Sequence, residues 1–113
     1  MTQSDYILKL LKKNKEAIIV GSLGSISKDL KDMPHDHKVL VKGAMGCAMA
    51  VGLGIALNTD RKVIVLIGEG SYLMKLGSIS TINRYKPKNL KIIIIRNDCY
   101  ASCGGQTNNF KWL

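Results

Sequence analysis

Val63-Ile64-Val65-Leu66-Ile67-Gly68-Glu69-Gly70-Ser71 is the stretch that decides the fold. Five apolar residues, mostly β-branched, stop abruptly at small and polar ones. A half-solvated strand alternates apolar and polar positions; an unbroken apolar run is buried on both faces, as in a parallel sheet covered by helices. Leu90 to Ile95 is a second strand, apolar but for Lys91 and closing on four consecutive isoleucines. Tyr72 to Tyr85 between them reads as a helix, with Pro87 as its breaker. Strand, helix and strand then form a βαβ unit with a right-handed crossover.

Upstream, Ala17-Ile18-Ile19-Val20 is a shorter buried strand that runs into the loop Gly21-Ser22-Leu23-Gly24-Ser25 and a short helix around Ser27 to Leu30. Asp32 to His37 is a polar loop, and Val39 to Val41 a further short strand. Ser4 is positioned to cap a first helix, with Tyr6, Ile7, Leu10 and Leu11 as its apolar stripe. Gly43 to Leu57 carries Gly or Ala at positions 43, 44, 46, 48, 50, 52, 54 and 56. Each glycine weakens an exposed helix by up to about 1 kcal/mol relative to alanine. The expectation is therefore an interior helix whose small residues admit close neighbours.

A chain of 113 residues gives a single domain over 1–113, a three-layer α/β sandwich around a parallel sheet. The 46% hydrophobic share excludes a disordered tail. Gly43 to Leu57 is too short for the roughly 20 residues that cross a bilayer. An odd cysteine count, 3, and an opening without a signal peptide point to the cytoplasm rather than to a disulfide scaffold.

The net charge of +9 raises the question of nucleic acid. Lys9, Lys12, Lys13 and Lys15 form one group, but the other cations are scattered and no basic and aromatic residues interleave. A solvated lysine-rich surface is the first reading, a surface for an acidic partner subunit the second, and nucleic acid the third.

Ligands of open parallel sheets bind beyond the carboxyl ends of the strands. Loops 21–25, 68–71 and 97–106 lie there, rich in Gly, Ser, Asn and Cys. In Gly68-Glu69-Gly70-Ser71 the glycines permit a tight turn, and the helix that follows directs free N–H groups at an anion. A carboxylate beside an anion site calls for a cation between them, and carboxylate plus phosphate oxygens is how Mg²⁺ is commonly held. Asn97, at the end of the adjacent strand, offers an amide oxygen.

Gly68-Glu69-Gly70, a 27-residue interval and Asn97 together resemble the diphosphate-binding signature of thiamine-diphosphate enzymes. Gly43-Ala44-Met45-Gly46 looks like the family's Gly-x-Met-Gly segment. Leu73 to Ile79, Gly104-Gly105-Gln106-Thr107 and Gly24 to Leu30 look like the phosphonopyruvate and sulfopyruvate decarboxylases in particular. The resemblance runs from about Ala17 to Thr107.

It implies decarboxylation of a small 2-oxoacid bearing a phosphonate or sulfonate, with thiamine diphosphate and Mg²⁺ as cofactors. By position, Glu69, the Asn97 side chain and the Cys99 backbone carbonyl would ligate Mg²⁺. Gly24, Ser25, Gly68, Gly70 and Ser71 would lie at the diphosphate, and Gly43 and Met45 at the aminopyrimidine and the bent cofactor. The loop with Tyr100, Gly104, Gly105 and Gln106 would close over substrate. The family's metal-binding aspartate is Glu69 here, one methylene longer, and the first Asn of its Asn-Asn pair is Arg96.

The family's activating glutamate comes from a separate pyrimidine-binding domain. This chain has two glutamates, Glu16 beside a strand near the start and Glu69 already assigned to metal. The reading is a half-site that works in a hetero-oligomer with a pyrimidine-domain subunit, with no nucleic acid and no membrane. Family domains continue with strand and helix beyond Gly-Gly-Gln, so the domain reads as incomplete. Rival readings are an acetolactate-synthase-like carboligase and a non-catalytic basic fragment that binds anions or nucleic acid. Cys99 and Cys103, four apart, and His35 and His37 lack the spacing of a structural zinc site. Cys103 reads as a small filler.

Overall fold

A computed structural model describes residues 2–42 and 44–95, together with the backbone of 99–100 and 106–107. Helix α1 (Gln3–Lys13) leads to strand β1 (Ile18–Gly21), α2 (Ser25–Lys31), β2 (Lys38–Leu40), α3 (Ala48–Ala56) and β3 (Val63–Gly68). Then come α4 (Glu69–Met74), α5 (Ser78–Tyr85), β4 (Leu90–Ile95) and the two-residue strands β5 (Cys99–Tyr100) and β6 (Gln106–Thr107).

The main sheet has the order β2-β1-β3-β4, with every pair parallel. The chain steps outward from β1 to β2, then crosses back over β1 to β3 and on to β4. Alternate side chains of the apolar strands feed two cores. On one face Ile19, Ile64 and Leu66 pack with Ile7 and Leu11 of α1 and Ile26 and Leu30 of α2. On the other, Val20, Val63, Val65 and Ile67 pack with Ala48, Met49 and Ala56 of α3. Tyr72 of α4 and Ile79 and Ile82 of α5 lie against this second core. The connecting helices change face where the strand order reverses, as crossovers of one hand require. The expected three-layer α/β sandwich with a parallel sheet is what forms.

Several local expectations need correction. Helix α1 is capped by Thr2, not Ser4: the Asp5 amide donates to Thr2 Oγ1 at 3.1 Å and the Thr2 amide to Asp5 Oδ2 at 3.2 Å. This reciprocal box satisfies two amides that the first turn leaves without partners. The single helix expected over Tyr72 to Tyr85 is two, α4 and α5, separated by a turn at 75–77. The backbone leaves the helical region at Lys75, the C-cap of α4, with φ −128° and ψ 41°.

Helix α3 is shorter than Gly43 to Leu57 and lies on the sheet rather than in the interior. Gly52 packs so close that a Cβ there would overlap Val65 Cγ2, whereas Gly54 meets nothing within 4 Å. Strand β4 is only half-buried along Ile92 to Ile95, because it is the outer strand of the sheet among the described residues.

Candidate functional site

Reversal of strand order between β1 and β3 opens a crevice beyond their carboxyl ends, the position at which open α/β sheets bind ligands. Both strands end there on small residues. Beyond β1, the Ser22 amide donates to the Leu66 carbonyl at 2.9 Å, and the Ser22 hydroxyl accepts from the Gly68 amide at 3.4 Å. Ser27 Oγ, one turn into α2, donates to the Ser22 carbonyl at 2.5 Å. These bonds join the β1 loop, the α2 start and the tip of β3.

The stretch 68–71 is not a loop. Gly68 closes β3 and N-caps α4, and Glu69, Gly70 and Ser71 form the first helical turn. All three are buried, Glu69 completely. First-turn amides have no partner within their helix, so the backbone here presents donors at the crevice. A Cβ at Gly68 would meet nothing within 4 Å: space lies open over the strand tip.

The second motif reaches this helix from a distant part of the chain. Gly46 adopts φ +87°, and a Cβ on it would lie 2.9 Å from the Ser71 carbonyl oxygen and overlap the Lys75 side chain. Only glycine permits both the conformation and the approach. The turn that carries half-buried Met45 is thereby seated on α4. β5 also lies against α4, so the backbone of Cys99 and Tyr100 comes to the same side. It pairs antiparallel with β6, Tyr100 opposite Gln106. Gly43, Asn97, Gly104 and Gly105 lie outside the described residues, as do Arg96 and Cys103.

Gly24 has φ +94° at the N-cap of α2, and Ser25 is the first residue of that helix. The Ser25 hydroxyl accepts from Gln3 Nε2 at 3.3 Å. A cleft of about 370 Å³ adjoins Gly24, lined by Leu23, Leu40 and the lysines 28, 31 and 42. Three ammonium groups here give the β1–β2 side a positive field, favourable to anions.

The remaining candidates are elsewhere. Glu16 is at the amino end of β1, the opposite end of the sheet from Glu69, with its carboxylate 3.9 Å from Arg61. His35 Nε2 donates to the Ala17 carbonyl at 2.7 Å, and its ring meets that of His37 edge-on at 6.3 Å. Ser22 was not singled out from sequence, although its place just after a buried strand was a usable signal. Among the described residues no helix is long and apolar enough to cross a membrane.

Known proteins are similar to this chain in sequence. Sulfopyruvate decarboxylase subunit beta from Methanocaldococcus jannaschii is 45% identical over 106 residues, covering 90% of this chain and 55% of that protein. Phosphonopyruvate decarboxylase from Streptomyces viridochromogenes is 41% identical over 93 residues, covering 81% of this chain and 23% of that one. The chain thus spans about half the length, or less, of these curated relatives.

In fold, the chain superposes with a TM-score of 0.75 on a candidate thiamin diphosphate-dependent enzyme from Mycobacterium smegmatis, at 24% identity over 98% of this chain and 24% of the other. A 2-oxoglutarate:ferredoxin oxidoreductase from Magnetococcus marinus gives a TM-score of 0.66 at 19% identity, covering 92% of this chain and 36% of the other. The model of the thiamine pyrophosphate enzyme C-terminal TPP binding domain matches residues 20–112, from the first buried strand through both glycine motifs. A parallel sheet with its strand tips stitched at the reversal, and a match over most of its length, make this chain a member of that family of TPP-binding domains.

Proposed function

We propose that this chain is the diphosphate-binding component of a thiamine-diphosphate-dependent 2-oxoacid decarboxylase, acting on sulfopyruvate or phosphonopyruvate with a pyrimidine-domain partner subunit. The observation that carries the reading is the fully buried carboxyl of Glu69 in the first turn of α4, at the strand-order reversal and against the Gly46 turn. Carboxylate and phosphate oxygens together are how Mg²⁺ is commonly held, and a helix start favours the anion it would share.

The residues present fit the coenzyme. Open space over Gly68 admits a ligand to the backbone, and buried Ser71 and the first-turn amides of α4 offer donors. Glu69, with Asn97 and the Cys99 carbonyl, would hold the metal; Gly24 and Ser25 would meet the diphosphate from the β1 side. Gly43 and Met45 would support the pyrimidine and the bend. When bound, the coenzyme supplies the nucleophilic thiazolium carbon and the electron sink for loss of CO₂. This chain anchors and orients it. The loop with Tyr100, Gly104, Gly105 and Gln106 would shield the substrate from water.

Glu16 and Glu69 lie at opposite ends of the parallel sheet. That separation supports an activating glutamate from a second chain. The names of the relatives, which include decarboxylase subunits designated beta, support the same assembly and substrates. Calorimetry tests the reading. Thiamine diphosphate should bind with Mg²⁺, alone or with the partner subunit, and lose binding on chelation or in Glu69→Gln. Glu69→Asp should retain it. Failure to bind in the presence of both metal and partner would overturn the proposal.

A further inference from the structure

At the end of the sheet away from Glu69, the fold converts a local lysine group into a continuous cationic cleft. Lys12 and Lys13 end α1 and Lys15 follows it, and the turn before β3 brings Arg61 and Lys62 beside them, around a cleft of about 370 Å³. The two newcomers are held in place. Arg61 donates from Nε and Nη2 to the Glu16 carbonyl at 3.0 and 2.5 Å, and Lys62 Nζ donates to Asn14 Oδ1 at 3.1 Å. The α1 dipole accounts for Lys12 and Lys13 in its last turn, but for none of the other three cations.

A second cleft, about 690 Å³, shares Lys12, Lys15 and Glu16 with the first and adds the aliphatic surfaces of Leu8, Leu11 and Pro34. The carboxylates facing the pair are those of Glu16 and Asp36, against five cations. No phenyl, phenol or indole ring lines either cleft, and the imidazole of His35 is held on the Ala17 carbonyl. Bases of a single strand therefore lack the stacking surfaces they use.

We propose that this joint cleft docks an acidic segment of a partner protein, carboxylates on Lys12, Lys13, Lys15 and Lys62 and aliphatic side chains against Leu8 and Pro34. Charge complementarity identifies the occupant, and the apolar extension distinguishes it from a bare polyanion. The surface is independent of the coenzyme end.

The test is fluorescence anisotropy with a short labelled peptide of Asp and Glu interrupted by leucines, titrated with the whole chain at about 0.1 M salt. Binding should fall at least roughly tenfold in the triple variant K12E/K13E/K15E. The K86E/K88E/K91E triple changes net charge equally at exposed positions that line none of the described clefts, and should leave binding within about twofold. K15E alone, outside α1, should cost roughly threefold and keeps the test informative should the first triple unravel that helix. Replacing the peptide leucines by serine should weaken binding several-fold. Equal loss in both triples, indifference to the leucines, no binding at this salt, or tighter binding of a single-stranded oligonucleotide would each overturn the proposal.

Discussion

Ser22 accepts, through its hydroxyl, a hydrogen bond from the amide of Gly68 at 3.4 Å, which ties the loop after β1 to the tip of β3 where the strand order reverses. Ser22 is 2% exposed, so water has little access to replace the bond. Ser22→Ala should destabilise the chain by about 1 kcal/mol, read as a lower urea midpoint with an unchanged slope. An unchanged midpoint would show that the bond contributes nothing.

Gly46 and Gly54 separate two roles for glycine in one segment. Gly46→Ala forces a side chain onto φ +87° and into the Ser71 carbonyl oxygen, and should cost about 2–4 kcal/mol. The partner change Lys75→Ala should restore only part of this, since the Ser71 contact is backbone. Gly54, helical with open space around it, should gain about 0.5–1 kcal/mol on change to alanine. Thermal melts of the variants check the opposite signs.

The Asn89 side-chain amide donates from one nitrogen toward the carbonyls of Ala56, Thr59 and Arg61, at 3.0, 2.9 and 2.8 Å. It pins the turn after α3 to the start of β4. Asn89→Ala should lose about 2 kcal/mol, because carbonyls it satisfied lose their donor. Asn89→Asp should lose more at neutral pH, because a carboxylate then faces three oxygens. Equal losses in the two denaturation curves would refute this account.

Lys38 caps α2 from the following strand. Its ammonium donates to the carbonyls of Leu30, Lys31 and Met33 at 2.8, 3.2 and 2.7 Å, at the negative end of the helix. Lys38→Met keeps the aliphatic stem and should still cost about 1–2 kcal/mol. Faster amide exchange should appear in the last turn of α2, while α3 exchange stays unchanged.

Val63 to Ile67 and Leu90 to Ile95 were legible as strands because the first is wholly apolar and the second is apolar but for Lys91. The layers followed from that. The motif residues were legible for the same local reason, small residues after a buried run. The division of α4 from α5 was not, since the apolar periodicity of 72–85 reads straight through the turn at 75–77, and nothing about Lys75 marks it as a helix end. The cap at Thr2 was available in Thr2-Gln3-Ser4-Asp5, where hydroxyl and carboxylate stand three apart. Reading the cap from Ser4 overlooked the reciprocal bond.

Unaided, the amino-acid order determined which segments are dry on both sides, and hence a helix-covered parallel sheet with polar, glycine-rich tips. Local hydropathy carries that information. Tertiary packing alone decided that β1 and β3 are neighbours, that Gly46 settles on Ser71, and that Arg61 and Lys62 join lysines more than forty residues earlier. These are contacts between elements far apart in the chain, chosen by which helix faces fit the sheet, and no short window of residues encodes that choice.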